Sequence, residues 1–67
     1  MSKRPKVGDM VLVRDVWEQW HICTVRDLHS DQFTAVYEYL LPKDNGWGER
    51  QLWAFYRDHG TTWEIGK

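Results

Sequence analysis

The chain reads as an all-β domain: a single small, strongly bent antiparallel barrel of about five strands. Three observations predict it. The sequence has 67 residues, room for one core only. It breaks into short runs rich in β-branched and aromatic residues, punctuated by turn signals. No window sustains a 3.6-residue apolar period over three turns, which excludes a long helix. A sheet of five such strands manages its edges by curling.

The elements follow in order. Residues 1–6 form a basic N-terminal tail, and residues 7–67 the barrel. Gly8-Asp9 makes a turn or bulge at the entry to the first strand, Met10 to Arg14. Asp15 to Gln19 is a loop carrying Trp17. The second strand runs from Trp20 to Leu28, with His21, Cys23 and Val25 on one face and Trp20, Ile22 and Thr24 on the other. Periodicity leaves open which face is buried. His29 to Gln32 is a hairpin turn, and Phe33 to Leu41 the third strand. Pro42 ends that strand, because proline cannot donate to a ladder, and Asp44-Asn45-Gly46 is a strong turn signal. The fourth strand spans Trp47 to Phe55, closing in a tight helical turn near Leu52 to Tyr56. After His59-Gly60, Thr61 to Ile65 is the last strand. The expected core is Val11, Val13, Val25, Leu28, Phe33, Val36, Leu52, Phe55 and Ile65, with Trp53 and Trp63 also structural.

Lys6-Val7-Gly8-Asp9-Met10-Val11-Leu12-Val13-Arg14 resembles the opening of Tudor and related SH3-like barrel domains. Those begin with Gly-Asp, an apolar strand, a loop and an aromatic-containing second strand, here Trp20 to Val25. Val36-Tyr37 is similar to the valine–aromatic pair of their third strand, so the resemblance covers roughly residues 6 to 56. It implies an SH3-like, Tudor-like barrel and a binding role. The chain departs from the pattern in its longer connection, Leu40 to Gly46, and in the position of Trp17 after Asp15.

Ten aromatics, five of them Trp, are the abnormal figure of the composition. An aromatic cage binds a bulky cation through electronegative ring faces, usually with one acidic partner. The candidates are Trp17 and Trp20 near the first loop, Tyr37 and Tyr39 of the third strand and Trp47 after the turn, with Glu38 or Glu18 as the acid. The same rings would serve equally as barrel core or as hot spots for a folded partner. The function expected is non-catalytic recognition of a protein or peptide through these aromatics at one end of the barrel, as an adaptor does. A homodimer, or a peptide added as an extra strand, uses the same surface.

The alternative is nucleic-acid binding, with Lys3, Arg4 and Lys6 on phosphates and stacking aromatics on bases. Against it stands a net charge of -1, with Arg14, Arg26, Arg50 and Arg57 each beside an acid. His21, Cys23, His29 and His59 lack the spacing of a zinc finger, and one cysteine forms no disulfide framework. Gly46-Trp47-Gly48 lacks the following helix of a phosphate loop, and no nucleophile elbow follows Cys23. We therefore expect no enzyme activity, no metal and no cofactor. No apolar stretch approaches the roughly 20 residues that span a bilayer. The expected location is cytoplasmic, or nuclear in a eukaryote; a chain this small suits a phage or mobile element as well as a cellular pathway.

Overall fold

A computed structural model describes residues 4–41, 43 and 46–66. Lys3, Pro42 and the Asp44-Asn45 turn lie outside the described residues. Five antiparallel strands form one sheet: β1 (Met10–Arg14), β2 (Trp20–Leu28), β3 (Gln32–Leu41), β4 (Gly46–Phe55) and β5 (Trp63–Ile65). A single 3₁₀ turn, Tyr56–Asp58, sits between β4 and β5. The first two strands have the bounds expected from sequence. The helical turn, expected near Leu52 to Tyr56, lies at Tyr56–Asp58, because pairing with β3 keeps Leu52 to Phe55 extended.

The strand order is β4-β3-β2-β1-β5, so β4 and β5 are the two edges. Among the described residues they form no ladder with each other, and the sheet stays open. The register shifts between Val25 and Asp27, a bulge that bends β2. Its first half pairs with β1 and its second half with β3. The β3–β4 hairpin is the longest ladder, from Gln32↔Phe55 to Leu41↔Gly46. Its outer half runs past the last β2–β3 pair, Thr24↔Val36, in a molecule 44 Å long and about half as wide.

The core is Val11, Val13, Cys23, Val25, Phe33, Ala35, Ala54, Tyr56 and Trp63. The open question about β2 is thus decided: Cys23 and Val25 face in, Ile22 and Thr24 face out. Four expected core residues are confirmed: Val11, Val13, Val25 and Phe33. Leu52 is half-buried and packs against this core; the other four are corrected, each for a reason of phase or position. Phe33 and Val36 are three apart on one strand and cannot share a face, so Ala35 takes the inner place and Val36 is only half-buried. On β4 both faces are apolar, and the inner one is Leu52-Ala54-Tyr56. Phe55 therefore points outward and is exposed, as is Trp53, while Leu52 is half-buried. Leu28 and Ile65 sit at strand ends, where too little covers them.

Trp63 closes the core. Its ring meets Phe33 edge-on at 4.9 Å. Its indole N–H donates to the Phe55 carbonyl at 2.8 Å, tying the end of β4 to β5. Tyr56 is anchored similarly, donating its hydroxyl to the His29 carbonyl at 2.8 Å. Ahead of Val7, Pro5 is buried and the Arg4 guanidinium lies over the Tyr56 ring, so these residues pack on the sheet. Gly8 makes the entry turn at φ 94°, a conformation that side chains disfavour.

Candidate binding surface

The β1–β2 loop is organised by one carboxylate. Asp15 Oδ1 accepts the backbone N–H groups of Trp17 at 2.8 Å and Gln19 at 2.9 Å. Asp15 Oδ2 lies 2.6 Å from His21 Nε2. The bonds from Gln19 and then His21 hold the Asp15 carboxyl below its usual value. The loop also needs Glu18 in the left-handed region, at φ 64°. What this geometry presents to solvent is the pair Val16 and Trp17.

His21 carries the organisation onto β3. Its ring stacks on Tyr37 at 4.0 Å with 7° between planes. Tyr37 and Tyr39 share the inner face, 6.5 Å apart. The Arg50 guanidinium lies 5.1 Å over the Tyr39 ring. Tyr39 also covers Gly48, its cross-strand partner: a Cβ there would come within 2.9 Å of the ring. The face of Tyr37 is thus taken by an imidazole and that of Tyr39 by the chain's own cation.

The six cage candidates are not brought together. Tyr37 and Tyr39 point to the inner face of β3, whereas Glu38, one residue out of phase, points the other way. Trp47 pairs with Leu40, on the same outer face as Glu38 and away from the tyrosines. Trp17 and Trp20 make no ring contact with either tyrosine among the described residues. Strand phase therefore divides the candidate set between two faces and a loop. Asp15 is linked to Tyr37 through His21.

A cleft of about 480 Å³ opens where the sheet fails to close. One wall is Gln51 to Phe55 of β4; the other is Arg14, Asp15 and Val16, with Asp58 and Thr62 at the base. The sequence reading missed Arg14, Val16, Trp53 and Phe55 as surface groups here. The signal was present: Gln51, Trp53 and Phe55 alternate with Leu52, Ala54 and Tyr56, so one aromatic set had to face out.

The other candidates are accounted for within the fold. Cys23 is buried, and burial pushes its thiol up to about 11, so it is no thiolate near neutral pH. His29 stacks on Trp53 and His59 meets Trp63 edge-on. Arg4 lies on Tyr56 and Lys6 is exposed, with its backbone N–H bonded to the Asp9 carboxylate. Among the described residues Arg26 pairs with Glu49 and Arg57 approaches Asp58 at 3.9 Å. Among the described residues no helix is long and apolar enough to cross a membrane. No protein-family model, curated protein or solved structure matches this chain.

Proposed function

We propose that this domain is a non-catalytic binding module, taking a protein or peptide partner through its surface aromatics at the open end of the sheet. The observation that carries the reading is where the tryptophans lie. Trp63 alone fills the core, while Trp17, Trp47, Trp53 and Trp20 are 69%, 67%, 53% and 44% exposed. Indole surface of that extent is costly to leave in water and is the material of interface hot spots. Val16, Trp17, Trp53 and Phe55 lie in or beside the cleft, which gives them a concave centre. The SH3-like, Tudor-like reading belongs to the same proposal, and the order of the Gly8-Asp9 turn, β1, a loop and β2 supports it.

A methylated cation is the less favoured ligand, because Arg50 and His21 already cover Tyr39 and Tyr37. The test is capture from a lysate by immobilised protein, washed at low and high salt, with and without nuclease. A protein partner retained through nuclease and high salt, and lost with Trp17→Ala or Trp53→Ala variants of unchanged melting temperature, is the expected result. Capture of nucleic acid that high salt removes would overturn the reading. So would binding that ignores both substitutions.

A further inference from the structure

We propose that the free edge of β4 takes up an extended acidic peptide as a sixth strand, with a peptide carboxylate on Arg14. This rests on the binding-module reading and names its partner. Backbone groups of successive strand residues point to opposite sides, and the β3–β4 register is unbroken. Tyr56 donates its N–H towards β3, to the Asp31 carbonyl at 3.1 Å. The Phe55 carbonyl points the other way, where Trp63 meets it. By the same alternation the N–H and C=O groups of Gln51 and Trp53 face away from β3, into the cleft. No turn, loop or side-chain hydrogen bond reaches them among the described residues.

Two alternate residues whose backbone groups face outward on an edge are a template for a strand. The described residues of β4, Gly46 to Phe55, include no Pro or Lys, the usual edge blockers. The shape of the cleft selects a lone segment over a second folded copy. A strand laid against Gln51 and Trp53 has Arg14, Asp15 and Val16 on its far side. A strand belonging to another sheet would need that space for its own neighbour.

Charge selects the chemistry. Asp15 is hydrogen-bonded to two backbone N–H groups and His21, and Asp58 lies 3.9 Å from Arg57. Arg14 is half-buried in the cleft wall, and its guanidinium has no hydrogen-bond or ion-pair partner among the described residues. Of the charged side chains lining the cleft, the one without a partner among the described residues is the Arg14 guanidinium, whose fork suits a carboxylate.

The test uses the whole chain against displayed random peptides of about eight residues, long enough to span the edge. Enriched peptides are then synthesised with capped ends. We expect Asp or Glu at one fixed position and a loss of roughly tenfold or more in affinity with Arg14→Gln. Arg14→Glu should shift the preference at that position to Lys or Arg. On binding, the amides of Gln51 and Trp53 should become protected from hydrogen exchange. Failure to enrich any peptide, enrichment without an acid, affinity unchanged by Arg14→Gln, or no protection of those two amides would each overturn the inference. A captured protein that depends on Trp17 or Trp53 but ignores Arg14→Gln would sink this inference alone and leave the module reading standing.

Discussion

Replacing Trp63 with Phe tests what holds the open end of the sheet together. Trp63 is fully buried, packs edge-on against Phe33 and His59, and donates its indole N–H to Phe55. Phe keeps one ring and removes the donor. The lost hydrogen bond is worth about 1 kcal/mol net, more if the Phe55 carbonyl is left dry. The missing ring leaves roughly 40 Å³, which at about 24 cal/mol per Å³ adds ~1 kcal/mol. The sum is about 2–3 kcal/mol, against roughly 3–10 kcal/mol for a domain of this length. The variant should therefore fold, with a melting temperature lower by roughly 10–20 °C. Far-ultraviolet circular dichroism in heat and urea reads this directly, and the urea slope should be unchanged. Trp63→Ala, losing ~3–5 kcal/mol, should sit at the edge of folding. Trp53→Phe, at an exposed site, should stay within about 0.5 kcal/mol of the parent. If Trp63→Phe also stayed within that range, Trp63 would not be the residue that closes the core.

Three further outcomes follow from the same geometry. Asp15 titrates below its usual 3.8 in the folded chain, so its contribution is intact above that value and is lost as pH falls through the lowered one. Order in the Trp17 loop, followed by amide shifts of Trp17 and Gln19, should persist as pH falls to 3.8 and be lost only below it, and Asp15→Asn should blunt the transition. Cys23 should resist a thiol reagent at pH 8 until urea opens the fold; labelling at the rate of a free thiol would contradict its burial. Glu18→Val should destabilise by roughly 1–2 kcal/mol, because a β-branched residue is strained at φ 64°, while Glu18→Gly should cost nothing or stabilise.

The sequence by itself determined the fold class, the number of strands and the bounds of β1 and β2. Those rest on local chemistry: β-branched runs, Gly8-Asp9 and the turn residues at His29 to Asp31 act within a few residues of themselves. It also marked the aromatics as the unusual feature. Only the tertiary structure decided which aromatics meet. Both faces of β4 are apolar, so the phase that buries Ala54 and Tyr56 and exposes Trp53 and Phe55 is settled by what packs across the sheet. The same long-range choice sent Glu38 and Trp47 to the face opposite Tyr37 and Tyr39. It laid Arg50 over Tyr39 and left Arg14 beside an unpaired edge. A period of two fixes which residues travel together along a strand; it does not fix which set meets the core.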